Sequence, residues 1–176
     1  VRQRSPKVEL KLQMDGGGHE RGMRSGTLPV PLIIGLAEAA KLCADNRFEE
    51  STRLKSMRDK LVKKVTSDLP DTIINGSLEH RLPHNINFSF PHVEGEALLM
   101  KLESIACSSG SACTSATLQP SYVMKALGHS EELAHSSIRI AFGRMNKEDD
   151  VEIAAKEIID AVTTLREKSP FHHMAK

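Results

Sequence analysis

The chain has 176 residues, 39% of them apolar, and its 24 Lys and Arg nearly cancel 23 Asp and Glu. That length suffices for one domain with a proper core, or for a small domain plus part of another. The balanced charge excludes a broad nucleic-acid-binding face, and no apolar run approaches the roughly 20 residues of a membrane span. Aromatic residues are scarce and Trp is absent, so the core must be aliphatic.

Val8, Leu10 and Leu12 alternate with Glu9 and Lys11, which predicts a strand within residues 1–13. The basic residues around it suit either a docking patch or a strand edge guarded by charge. Residues 16–26 then hold five glycines, too many for a regular element, together with Arg21, Arg24 and Ser25. Thr27 lies just before Pro29, where a helix should start. Its hydroxyl can cap that helix or meet a phosphate. Neither the P-loop nor the dinucleotide-binding glycine spacing is present.

Residues 29–44 predict an amphipathic helix with Leu32, Ile33, Leu36, Ala40 and Cys43 turned inward. A second, highly charged helix is expected over 48–66, with Leu54, Met57, Leu61 and Val65 inward. Short strands follow at 72–76 and 85–90, the second alternating Ile86, Phe88 and Phe90 with polar neighbours. His80, His84 and His92 fall in or beside turns without ligand spacing, which fits surface histidines. A helix is predicted over 94–103, with Ala97, Leu98, Met100 and Leu102 for packing. A short strand at 105–107 should bury Cys107.

The stretch Ser108-Ser109-Gly110-Ser111-Ala112-Cys113-Thr114-Ser115 is small and polar and carries one thiol. Such residues bury too little to pin a loop, so Cys113 reads either as a tethered, mobile thiol or as a cysteine that merely sits in a linker. A helix from Pro120 ends at Gly128. Residues 135–142 predict a strand with Ile138, Ile140 and Phe142 on one face and Arg139 on the other. Asn146 is a candidate N-cap for a last helix to about Arg166, whose buried stripe is Ile153, Ala154, Ile158, Ala161, Val162 and Leu165. Interleaved helices and strands define an α/β class of α+β type, a small open sheet with helices packed on it. The three cysteines, Cys43, Cys107 and Cys113, lack zinc-site spacing, and an odd, sparse set suits free thiols in a reducing compartment.

Five segments together resemble the C-terminal part of the IscS/NifS class of cysteine desulfurases. They are the run from Gly16 through His19, Arg21 and Arg24 to Thr27, then Val93-Glu94-Gly95-Glu96, then Ser108 through Ser115, then Pro120-Ser121-Tyr122-Val123, and finally His135-Ser136-Ser137-Ile138-Arg139. They stand in the family's order. The resemblance implies a homodimeric pyridoxal-phosphate enzyme of fold type I. Residues 1–28 would be the end of the large cofactor domain. Residues 29–176 would be the small domain, with its mobile cysteine loop at about 107–119.

In that class Cys113 would take sulfur from L-cysteine as a persulfide, release alanine, and hand the sulfur to an iron–sulfur scaffold protein or another acceptor. Arg139 would hold the substrate's carboxylate, where its planar fork suits a bidentate contact; from the residues alone, a structural salt bridge is the other reading. Thr27 would reach the cofactor phosphate across the dimer interface. No resident metal is implied, Cys113 being at most a transient iron–sulfur ligand. The long serine loop sets this chain apart from the SufS-like class. The compartment implied is the cytoplasm, or the mitochondrion in a eukaryote. The class's cofactor-bearing lysine falls upstream of Val1, so the expectation is a portion of a longer enzyme that is inactive alone. A non-catalytic module that binds a sulfur acceptor or a desulfurase partner is the competing expectation.

Overall fold

A computed structural model of the chain describes residues 10–108 and 121–169. The predicted strand up to residue 9, the serine-rich loop with Cys113 and Pro120, and the tail from residue 170 lie outside them. The elements in order are a 3-10 turn at Glu20–Gly22, α1 (Val30–Asp68), β1 (Ile73–Ile74), β2 (Asn85–Ser89), α2 (Gly95–Lys101), α3 (Tyr122–Ala126), α4 (Glu131–His135), β3 (Ser137–Ala141) and α5 (Glu148–Lys168). The chain divides into two compact units, Val1–Asn46 and Arg47–Lys176.

In the first unit, Leu10 to Leu12 form no strand and are exposed. Alternation alone makes no ladder, and no described strand pairs with them. The glycine-rich segment closes on itself: the Ser25 hydroxyl donates to the Gly17 carbonyl at 2.6 Å. Gly22 and Gly26 take φ of 77° and 97°, which a side chain would resist. The helix predicted over 29–44 forms, but its stripe is not buried. Leu32 is 73% and Leu36 71% exposed, and Cys43 is exposed rather than in a core. The described part of this unit holds no second long element to cover them.

The predicted break between two helices is also absent. Residues 45–47, Asp-Asn-Arg, contain neither Pro nor Gly, so α1 runs unbroken for 39 residues. Asn46 turns its amide back to the Leu42 carbonyl at 2.8 Å, inside the helix.

In the second unit, the sheet has the order β1-β2-β3 and is antiparallel throughout. The register sets Ile86 opposite Ile140 and Phe88 opposite Ile138. These side chains form the buried face, together with Phe90 and Phe142 just past the strand ends. The C-terminal half of α1 supplies Leu54, Met57, Leu61 and Val65 to the same core. From α5 come Val151, Ala154, Ala155, Ile158, Ala161 and Val162. Each fully buried Leu, Ile or Phe contributes about 1.5–3 kcal/mol, so this stack holds the unit together. The opposite face of β2 and β3 carries Asn87, half-buried, with Arg139 and Ala141, both exposed. That is the expected small sheet with packed helices.

Two predicted packing positions differ. Met100 is 81% exposed, and Ile153 is 53% exposed while Val151 and Ala155 are buried in its place. Residues 105–107 form no strand; among the described residues of this stretch Ser108 alone bridges to the sheet. The α5 N-cap position is Lys147, one residue later than Asn146. Asn146 instead joins the cap from outside, bonding the Asp150 carboxylate and the Gly143 N–H.

Candidate active site

Arg139 is placed by β3, and β3 is placed by what precedes it. Residues 131–135 form the helix α4, capped by the Ser130 hydroxyl, where a loop and strand start were expected. The Ser136 and Ser137 hydroxyls then turn back to the carbonyls of Leu133 and Ala134 at 3.0 and 2.8 Å. Both serines are buried, so they pin the helix end to the strand start. Ile138 and Ile140 enter the core on either side, and alternation points Arg139 to the open face. Among the described residues its guanidinium makes no hydrogen bond or ion pair, which leaves the fork available to a carboxylate.

The outer edge of β3 is met by Ser108. The Arg139 N–H donates to the Ser108 carbonyl at 2.7 Å, and the Ser108 N–H donates to the Arg139 carbonyl at 3.4 Å. Ser108, five residues before Cys113 in the sequence, is thus held beside Arg139. Cys113 itself lies outside the described residues.

The segment before Ser108 is held by Glu157 of α5. One carboxylate oxygen accepts from the Ser104 N–H at 2.9 Å, and the other accepts from the Ser104 hydroxyl. Ile105 and Cys107 pack against the core. Cys107 is half-buried; burial pushes its thiol pKa up, and the Glu157 charge pushes it further. It is therefore held as a thiol, the unreactive form. The Glu157 contact was not legible in the sequence, because it joins residues 53 apart.

In the first unit, Thr27 is exposed, and its hydroxyl has no partner among the described residues. The adjoining Arg24 guanidinium donates to the Gly26 and Thr27 carbonyls at 3.0 and 3.2 Å. The hydroxyl is thus not consumed as a cap of α1 and is free to donate to a phosphate. His80 is exposed, and His84 and His92 are partly buried. Among the described residues no group of His, Cys, Asp or Glu could hold a metal ion. No helix among them is long and apolar enough to cross a membrane.

The Aminotransferase class-V family matches residues 10–153, and the chain belongs to it. Among curated proteins, it is 51% identical to the cysteine desulfurase IscS of Stutzerimonas stutzeri (strain A1501), over 98% of this chain and 43% of that protein. It is 54% identical to the cysteine desulfurase IscS of Pseudomonas entomophila (strain L48), over the same shares.

Among solved structures, a NifS-like protein superposes with a TM-score of 0.75 at 30% identity, over 89% of this chain and 40% of that one. The NifS-like protein from Rickettsia africae ESF-5 gives 0.73 at 30% identity, over 91% of this chain and 41% of that one. The chain therefore spans less than half the length of the relatives it matches. Pyridoxal phosphate is the cofactor of this family, and the open Thr27 hydroxyl has the chemistry to bind its phosphate.

Proposed function

We propose that the chain is the C-terminal portion of a cysteine desulfurase that takes sulfur from L-cysteine onto Cys113. The observation that carries this reading is the pairing of Arg139 with Ser108. A guanidinium that is unengaged among the described residues faces outward on the strand to which Ser108 is hydrogen-bonded. Cys113 follows Ser108 by five residues, and five residues of chain span at most about 18 Å. A thiol so tethered stays within reach of a substrate held at Arg139. The identity to the two IscS proteins supports the same reading.

In this reading Arg139 binds the carboxylate of L-cysteine through a bidentate pair. Bound pyridoxal phosphate supplies the electron sink that loosens the substrate's carbon–sulfur bond. The Cys113 thiolate attacks the substrate sulfur. A sulfur–sulfur bond forms, the carbon–sulfur bond breaks, and its electron pair takes up a proton to give alanine. The Cys113 persulfide then passes its outer sulfur to an iron–sulfur scaffold protein or another acceptor thiol. Thr27 binds the cofactor phosphate of the partner subunit in a homodimer. No nucleic-acid or membrane contact is part of this function, and the setting is cytoplasmic, or mitochondrial in a eukaryote. The 176 residues contain no Ser-Gly-His-Lys stretch, so on their own they are expected not to turn over.

The test uses the full-length enzyme loaded with cofactor. Cys113→Ser should abolish sulfide release from L-cysteine in the presence of reductant, while the visible absorbance of the bound cofactor is unchanged. Mass spectrometry of the cysteine-treated wild type should find the added 32 Da on the Cys113 peptide. Its appearance on Cys43 or Cys107 instead, or turnover by the Cys113→Ser variant, would overturn the assignment.

A further inference from the structure

We propose that Glu157 is a positioning residue for sulfur transfer, fixing the point from which the Cys113-bearing chain departs. This rests on the desulfurase reading above. The segment from Leu102 to Ser108 is the root of that chain, and among the described residues these contacts hold it. Leu102 is buried, and Ile105 and Cys107 pack on the core. Ser108 exchanges backbone hydrogen bonds with Arg139. Between these, the Glu157 carboxylate takes both donors of Ser104, its N–H and its hydroxyl.

Glu157 supplies the charged contact in the set, and charge-assisted hydrogen bonds are about twice as strong as neutral ones. It is also built on a rigid base. Its helix α5 is 21 residues long and buries Ile158, the next residue, completely. The carboxylate thus adds a polar tie to the core at Ser104, where the chain from Glu103 to Ser104 is exposed, between the apolar contacts made by Leu102 and by Ile105 and Cys107.

Arg139 does not depend on this grip in the same way. It is flanked by Ile138 and Ile140, both buried and registered against Phe88 and Ile86 of β2. Loosening Ser104 would leave the arginine on its strand while allowing Ser108 to leave the edge. A root that moves changes how often the tethered Cys113 thiol meets the substrate sulfur, whereas substrate binding at a held arginine does not change. The kinetic signature of losing Glu157 is therefore a fall in kcat at nearly constant KM.

The experiment compares Glu157→Ala and Glu157→Gln in the full-length, cofactor-loaded enzyme. Glu157→Ala should lower kcat for sulfide release about tenfold with KM for L-cysteine within about twofold. Hydrogen exchange at the Arg139 amide should quicken at least about tenfold, because that N–H donates to Ser108. Glutamine keeps an oxygen for the Ser104 N–H and an amide for the hydroxyl oxygen, so Glu157→Gln should recover kcat to within about threefold. Should Glu157→Ala not fold, Ser104→Ala, which removes the hydroxyl alone, should give a smaller fall in kcat at constant KM.

A kcat within about twofold of wild type in Glu157→Ala, or equal impairment of the alanine and glutamine variants, would overturn the proposal. The exchange measurement separates it from the underlying reading. Unchanged exchange at Arg139 removes the anchor even if Cys113 is essential, whereas turnover by Cys113→Ser removes the desulfurase reading while exchange still reports on Glu157.

Discussion

Ser108 and Arg139 exchange both of their backbone hydrogen bonds across a single isolated bridge, at 2.7 and 3.4 Å. Among the described residues the bridge adds Ser108, the first residue of the serine-rich stretch, to the outer edge of β3. Side chain and main chain of Arg139 thereby have separate duties. The main chain secures the root of the cysteine-bearing segment, and the side chain stands clear of the core on the opposite face from Ile138 and Ile140.

That separation makes the Arg139 side chain removable without cost to the fold. In the full-length enzyme, Arg139→Ala should raise KM for L-cysteine about ten- to a hundredfold, the equivalent of one charge-assisted bidentate contact. Arg139→Lys should fall between the two, because it keeps the charge and loses the fork. Thermal midpoints of both variants should stay within about two degrees of wild type, since the exposed side chain holds nothing among the described residues. An unchanged KM in Arg139→Ala would remove the substrate role.

Gly95 accounts for part of the Val93-Glu94-Gly95-Glu96 stretch in physical terms. It is buried at the start of α2, and a Cβ there would collide with the His135 carbonyl at the end of α4. Its φ lies outside the left-handed region, so space and not conformational freedom demands glycine. The carbonyl belongs to backbone that leads into β3 and cannot swing away. Gly95→Ala should therefore destabilise by on the order of 3 kcal/mol, read from urea unfolding of the purified protein. Glu94→Ala, which removes the side chain that accepts from the Glu96 and Ala97 N–H groups at 2.9 and 2.6 Å, should cost about 1 kcal/mol.

Sequence reading succeeded here where a pattern is local and failed where a partner is distant. The alternation of Ile86, Phe88 and Phe90 and of Ile138, Ile140 and Phe142 marked both long strands and put Arg139 on the correct face, because strand periodicity is a property of the segment itself. Gly128 ended α3 as expected, with φ of 85°. Burial along α1 was legible only from Leu54 onward. Leu32, Leu36 and Cys43 carry the same periodic signal, yet periodicity states which residues share a face and not whether anything covers it. The short helix α4 was missed because five residues are too few to show a period. The Glu157–Ser104 and Ser108–Arg139 contacts join residues far apart in the chain, and no local signal marks them.

Cys107 should behave as a guarded thiol. Burial raises its pKa first and the Glu157 charge second, so its thiolate is scarce at neutral pH. In the purified protein, alkylation of Cys107 by iodoacetamide, followed by peptide mass spectrometry, should need a pH above the ordinary cysteine range of about 8.5. Glu157→Gln removes one of the two causes and should shift the midpoint of that profile downward. Because the folded pKa is raised, the neutral form stabilises the fold below the ordinary value, and that contribution fades as pH climbs through the folded one. A Cys107 profile at or below the ordinary range would contradict the burial seen here.

The start of α5 sets a dependence at the acid end. Asp150 accepts from the Asn146 amide at 2.8 Å and from the Lys147 N–H at 3.0 Å, and these bonds hold its carboxyl pKa below the usual range. A depressed pKa stabilises the fold above the unfolded value of about 3.9, and that contribution is lost as pH falls through the folded value. Asp150→Ala should therefore lower the urea midpoint at pH 7, and the gap from wild type should narrow as pH falls below the ordinary carboxylate value of about 3.9. Asn146→Ala removes the amide that donates to this carboxylate and should leave a narrower gap at neutral pH. A gap independent of pH would mean that Asp150 acts through helix propensity alone and that the carboxylate cap contributes nothing.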